Sequence, residues 1–187
     1  MFRKLQPPML AALAATFALA APLAHAGAVI GQGTWQSTLQ ARDINGDGIT
    51  DAFYDTTLNI TWLADGNAGA GSGYDATFGG GYMTWSEANA WAANLNVFGV
   101  TGWRLPTMID TGAPGCDVSY GGGTDCGFNV QTVSADGLTV FSEWAHLYYV
   151  TLGNLACCAP GDAHCNSAQP GWGLTNTADF RNLQDSA

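Results

Sequence analysis

The 187-residue chain is acidic, with a formal net charge of −10, and all 15 of its acidic residues follow Ala26. Only Arg42, Arg104 and Arg181 are basic in that part, which has no lysine, an acidic excess of 12. Such a surface repels phosphate backbones and argues against nucleic-acid binding. It disfavours anionic membranes and sulfated sugars for the same reason and leaves cations and neutral sugars as compatible ligands.

The N-terminus reads as an export signal. Arg3 and Lys4 form a positive start, an apolar run covers Met9 to Ala21, and Ala24-His25-Ala26 offers small residues at both positions that signal peptidase reads. Cleavage is expected after Ala26. The apolar run has 13 residues, too few for a helix that needs about 20 to span a bilayer. No later stretch is long enough to span. The exported part, 27–187, suits one domain with a sizeable core. Its many glycines and tryptophans suggest an extracellular binding or surface module.

Residues 27–52 form a polar lead-in that ends in a candidate calcium loop. Asp43, Asn45, Asp47, the Ile49 carbonyl and Asp51 space oxygen ligands at alternate positions, and Gly48 permits the sharp turn. The twelfth position, a bidentate Glu in a complete loop of the EF-hand kind, is Tyr54, with Asp55 next to it. The alternative is a solvated Asn-Gly/Asp-Gly turn joining two strands.

Phe53–Leu63 is predicted to be a hairpin, with Leu58, Ile60 and Trp62 alternating with Asn59 and Thr61. Asn59-Ile60-Thr61 is a glycosylation sequon by spelling, but an ordinary strand is the preferred reading. Asp65 to Gly81 is a Gly-rich run without lysine. It reads as a flexible surface loop and not a phosphate cradle.

Thr84-Trp85-Ser86-Glu87 is a capping box. Ala88, Trp91, Ala92 and Leu95 mark one face of the helix it opens, which ends near Asn96. Trp103-Arg104-Leu105-Pro106-Thr107 is predicted to be a short strand stopped by proline. A second helix is predicted over 140–152, with Phe141, Trp144, Ala145, Tyr148 and Leu152 on its apolar face and Gly153 as its stop. Residues 154–187 show little periodicity.

Five cysteines follow Ala26, and an oxidising compartment favours disulfides. Cys116 and Cys126 flank a polar loop and are expected to pair, which stabilises by about 2–3 kcal/mol in the chain-entropy model. Cys165 is expected to pair with Cys157 or Cys158, with Cys158–Cys165 as the candidate disulfide. One thiol is left over. Cys157, Cys158, His164 and Cys165 match no common zinc spacing.

Catalytic chemistry is not visible. Ser142 and His146 lie four apart on one helix without a nucleophile-elbow pattern, and Glu87 and Glu143 read as capping or surface carboxylates. Trp85, Trp91, Trp103 and Trp144 read mostly as core by helical periodicity. Tyr120 and Trp172, in loops, are the candidate ligand contacts.

Several runs together resemble one family. Tyr54-Asp55-Thr56-Thr57-Leu58-Asn59-Ile60-Thr61-Trp62-Leu63, Met83-Thr84-Trp85-Ser86-Glu87-Ala88 and Trp103-Arg104-Leu105-Pro106-Thr107 come first. Ser142-Glu143-Trp144-Ala145-His146-Leu147-Tyr148-Tyr149 and Gly173-Leu174-Thr175-Asn176 follow in order. They resemble the Lcl C-terminal-like family, named after a Legionella collagen-like adhesin. The resemblance covers about 54–183, and residues 53–187 are read as that domain. It implies an exported bacterial protein with an α+β, C-type-lectin-like fold: two helices packed on short antiparallel strands, with long Gly-rich loops. Family members continue past Asn182-Leu183 into further strands, so the resemblance implies an incomplete domain at Ala187. The namesake binds sulfated polysaccharides, which the acidic surface here disfavours. The expected function is therefore adhesion to a neutral polysaccharide or a surface protein, without catalysis and with calcium bracing the N-terminal loop. The alternative is a purely structural envelope or matrix component stabilised by calcium and disulfides.

Overall fold

The computed structural model describes residues 27–109, 137, 139–157 and 167–183. Its centre is an antiparallel sheet of three short strands in the order β1 (Leu39–Arg42), β2 (Ala52–Asp55) and β3 (Ile60–Leu63). The domain is α+β. The helices are α1 (Trp35–Thr38), α2 (Trp85–Asn94) and α3 (Glu143–Ala145), the last continuing as a π-helical turn over His146–Thr151.

The expected hairpin is β2–β3. Phe53 faces Trp62 across it, and both are buried. Asp55 closes the turn: its Oδ1 accepts from the N–H groups of Thr57 (2.9 Å) and Leu58 (3.1 Å). Asn59 takes the left-handed conformation (φ 56°) that asparagine tolerates better than most residues. It therefore lies in the turn, exposed, and not in a strand. The lead-in holds more structure than its polarity suggested. Residues 39–42 form β1, paired with β2 from Leu39↔Asp55 to Arg42↔Ala52, so the acidic loop 43–51 joins two strands.

The core comprises Phe53, Trp62, Ala64, Leu147, Leu152, Ala178 and Phe180. The Phe53 and Phe180 rings meet at 4.7 Å. It is thus built from the hairpin, the π turn and the C-terminal segment. The predicted helix over 140–152 starts at Glu143, with the Ser142 hydroxyl accepting from Ala145 N–H. Its second half widens, because Leu152 N–H reaches back five residues to the Leu147 carbonyl (2.8 Å). Gly153 then turns left-handed (φ 69°) beside Gly33 (φ 68°). A Cβ on Gly33 would lie 2.3 Å from the Thr151 carbonyl oxygen, and one on Gly153 would lie 2.5 Å from Gly33 N. The N-terminal arm crosses the helix end there.

Asn154 and Asn176 fix that crossing. Asn154 Oδ1 accepts from Asn176 N–H (2.8 Å) and Thr175 N–H (3.0 Å), and its Nδ2 donates to the Asn176 carbonyl (2.9 Å). Asn176 Nδ2 donates to the Leu152 (2.7 Å) and Gln32 (3.2 Å) carbonyls, and its Oδ1 accepts from Val29 N–H (2.9 Å).

The Gly-rich run is organised and not a loose loop. Asp75, buried, accepts from Gly71 and Gly81 N–H at 3.0 Å each. Those amide bonds hold its carboxyl below the usual range, against a smaller opposing effect of burial. The capping box is present as predicted: Thr84 Oγ1 accepts from Glu87 N–H (3.3 Å), and Glu87 Oε2 from Thr84 N–H (2.7 Å). Glu87 Oε1 also accepts from Thr77 Oγ1 (2.5 Å), which ties the Gly-rich run to α2. The expected apolar face exists, but only Ala92 is buried on it. Of the two predicted helices, then, only the later one packs into the core under the sheet; α2 stands off from it.

Candidate functional site

The space between α2 and the sheet is an open cleft of about 630 Å³. This lies within the range of small-ligand sites, roughly 300–1,000 Å³. Strand β3 forms one wall along its whole length, from Ile60 to Leu63. Trp91, Ala92 and Leu95 of α2, with the run from Val100 to Pro106, form the other. Leu147 and Phe180 supply an apolar floor.

Four of the seven tryptophans line this cleft: Trp62, Trp91, Trp103 and Trp144. The Trp62 and Trp144 rings meet edge to face at 6.2 Å. Trp91 and Trp103 are half-buried and Trp144 is 48 % exposed. The expectation that the helix tryptophans are mostly core therefore fails. Trp85, at the first position of α2, is 79 % exposed and does not line the cleft. Periodicity gives the face of a helix; it does not show whether a neighbour closes over that face.

Trp103–Thr107 is not a strand. It has no ladder partner in the sheet and is held by a charge pair instead. Arg104 Nη1 and Nη2 donate to Glu143 Oε2 and Oε1 at 2.7 Å each, and Thr107 N–H donates to Glu143 Oε2 at 2.7 Å. Glu143 N–H returns a bond to the Thr107 carbonyl (3.1 Å). Glu143 is buried, which corrects its reading as a capping or surface carboxylate. Burial raises its pKa, but the Arg104 and Thr107 hydrogen bonds together outweigh burial, and the net direction is down; Arg104 moves up for the same pairing. No local pattern signals a pair 39 residues apart.

Arg42 and Asp65 also border the cleft. Arg42 lies 5.4 Å from the Tyr54 ring centroid and donates to Gln40 Oε1 (3.0 Å). Asp65 accepts from Asn182 Nδ2 (3.1 Å) and Asn67 N–H (2.9 Å).

Behind the cleft lies a small buried polar group. Trp62 Nε1–H donates to Asp55 Oδ2 (3.3 Å), and Asp55 is fully buried. His146, also buried, lies 3.5 Å from Thr151 Oγ1 through its Nδ1. Burial lowers the His146 pKa, and the Asp55 charge opposes it less strongly. No ring nitrogen of His146 contacts Ser142, whose hydroxyl serves the helix cap.

The candidate calcium residues share the β1–β2 loop. Asp43 accepts from Gly46 (2.7 Å), Asp47 (3.2 Å) and Gly48 (2.8 Å) N–H. Asp47 Oδ1 accepts from Ile49 N–H (2.8 Å), and Asp51 Oδ2 accepts from Ile44 N–H (2.7 Å). The Asn45 side chain bonds within the loop in the same way. Among the described residues no three acidic, histidine or cysteine groups are gathered as a metal site. The carboxylates face backbone amides, and Asp43 Oδ1 accepts two of them, from Gly46 and Asp47.

Cys116, Cys126, Cys158, Cys165, His164 and Tyr120 lie outside the described residues. Cys157 is exposed and carries a free thiol. Trp172 is 43 % exposed beside Leu155 and does not line the cleft. Among the described residues no helix is long and apolar enough to cross a membrane. Comparison with known proteins gives no match to a family model, to a curated protein or to a solved structure.

Proposed function

We propose that this chain is an exported, non-catalytic binding module whose ligand, a surface polysaccharide or a surface protein, seats in the tryptophan-lined cleft. One observation carries the reading: four indoles converge on a single open cleft. Indole faces stack on sugar rings and pack against polypeptide. The acidic surface selects for neutral or basic ligands.

The sequence resemblance to the Lcl C-terminal-like family supports the same reading, as does the signal-peptide pattern of 1–26. A C-type-lectin-like arrangement is the finer fold proposed within the α+β class. Calcium is proposed to brace the β1–β2 loop through Asp43, Asn45, Asp47, the Ile49 carbonyl and Asp51. That proposal rests on their spacing. Disulfides Cys116–Cys126 and Cys158–Cys165 belong to the same extracellular reading.

The test is retention on columns of immobilised neutral polysaccharide and of immobilised cell-surface protein, for the native chain and for Trp103→Ala. Retention on either that Trp103→Ala loses supports the binding module. Passage through both, or equal retention of the variant, contradicts it and favours the purely structural role.

A further inference from the structure

The hydrogen-bond pattern of the sheet leaves one edge open into the cleft. Ala64 N–H donates to the Asp51 carbonyl (2.9 Å). With the register Ala52↔Leu63 and Phe53↔Trp62, this makes Phe53↔Trp62 and Asp55↔Ile60 the bonded pairs. Tyr54↔Thr61 and Ala52↔Leu63 are then the non-bonded pairs. The backbone N–H and C=O groups of Thr61 and Leu63 therefore point away from β2. Arg181 covers the continuation of this edge, donating to the Ala64 carbonyl (2.7 Å) and accepting from Gly66 N–H (2.8 Å). It stops there: among the described residues nothing bonds to the outward backbone groups of Thr61 or Leu63.

The opposite wall has the same character. The N–H groups of Thr101, Gly102, Trp103, Arg104 and Leu105 have no acceptor among the described residues, although the segment is held in place by the Arg104–Glu143 pair. Both walls thus carry backbone groups without a partner among the described residues, and both line one cleft with an apolar floor. A sugar uses indole faces; free outward peptide groups along a strand edge, as on β3, are what an added strand uses.

We infer that the cleft is a strand-acceptor groove: an extended segment of a partner polypeptide adds to the edge of β3 and lies between β3 and residues 101–105. The inference rests on the cleft being the binding site and names its ligand class. Charge fixes the chemistry further. Inside the cleft Arg42 and Arg104 are balanced by Asp65 and Glu143, so the acidic excess of the chain, net −10 with no lysine or arginine between Arg42 and Arg104, acts on the parts of a ligand that extend beyond the groove. The favoured segment has alternating apolar side chains and basic flanks.

The probe is a synthetic peptide of alternating valine and threonine flanked by lysine pairs, compared with the same peptide N-methylated at alternate residues. Binding and backbone hydrogen exchange are measured on the full chain. The plain peptide is expected to bind and to slow exchange at the Thr61 and Leu63 amides. The N-methylated peptide, which lacks donors, is expected to bind at least about tenfold more weakly. Thr61→Pro removes an outward N–H without touching the β2–β3 bonds, and is expected to abolish binding of the plain peptide. Should that variant not fold, the N-methylated peptide decides the matter. Equal binding of the two peptides, no binding, or protection of Thr61 and Leu63 by self-association without peptide each overturns strand addition by a partner. Trp103→Ala separates the two levels: peptide binding unchanged by it overturns the cleft reading itself, whereas equal, Trp103-dependent binding of both peptides keeps the cleft and removes the strand.

Discussion

Glu143 receives both prongs of the Arg104 guanidinium at 2.7 Å and a third bond from Thr107 N–H at the same distance. This fork is what holds the Trp103–Pro106 wall against the helix that floors the cleft. The Arg104 side chain is 51 % exposed and that of Glu143 only 12 %, so the pair is stronger than a surface bridge and weaker than a fully buried one. Arg104→Ala strands a largely buried carboxylate and is expected to destabilise by about 1–3 kcal/mol. Arg104→Lys cannot make the fork and should recover less than half of that loss. Thermal melts of the three proteins check this; a melt of Arg104→Ala equal to the native one contradicts it.

Asn154 and Asn176 are both almost fully buried, and each satisfies backbone groups of the other's segment. Asn154→Ala leaves the buried Asn176 amide without an acceptor, while Thr175 N–H keeps the Gly173 carbonyl (2.9 Å). A loss of about 2–4 kcal/mol is expected, which lowers the melting temperature by roughly 2–4 °C per kcal/mol for a domain of this size. Gln32→Ala, at the edge of the same network, should lose under about 1 kcal/mol.

Gly33 and Gly153 meet backbone to backbone, each in the left-handed region. Alanine at either position meets a carbonyl oxygen or an amide that cannot move away cheaply. Each substitution is expected to destabilise by about 2 kcal/mol or more. Because they act at one contact, the double variant should lose less than the sum of the singles. Chemical denaturation of the three variants measures this directly.

His146 gives the molecule a pH dependence. Burial lowers its folded pKa below the unfolded value, with the Asp55 charge opposing. The unfolded state then binds the proton first, so stability is full above the unfolded value of about 6.5 and falls as pH drops below it toward the folded pKa. His146→Gln is expected to flatten the melting temperature between pH 7 and the acid side, down to the range where carboxylates such as Asp75 and Glu143 titrate. Those two have lowered pKa values, and the stability they contribute is present above about pH 4 and lost below it. A native profile as flat as that of His146→Gln contradicts the assignment.

What was legible in the chain was local. The Thr84/Glu87 box, the β2–β3 alternation and the helix around Trp144 are short-range patterns, and each is present. Strand β1 is not legible because it is only four residues long and its alternating apolar residues, Leu39 and Ala41, are half or fully exposed on an edge strand. The Trp103–Thr107 run carries strand-forming residues but no partner, because tertiary pairing, not propensity, makes a ladder. The cleft was out of reach for a related reason. Trp62, Trp91, Trp103 and Trp144 come from four separate segments, and only the standing-off of α2 turns their apolar faces into a site. Of the loop aromatics Tyr120 and Trp172, Trp172 sits on the surface away from the cleft.

The most direct test follows the seven indole N–H signals by nuclear magnetic resonance during titration with neutral polysaccharide, surface protein or strand-forming peptide. Ligand in the cleft is predicted to move the signals of Trp62, Trp91, Trp103 and Trp144 and to leave those of Trp35, Trp85 and Trp172 in place. Saturable shifts confined to Trp85 or Trp172, with the four cleft indoles unmoved, would contradict the assignment of this cleft as the binding site.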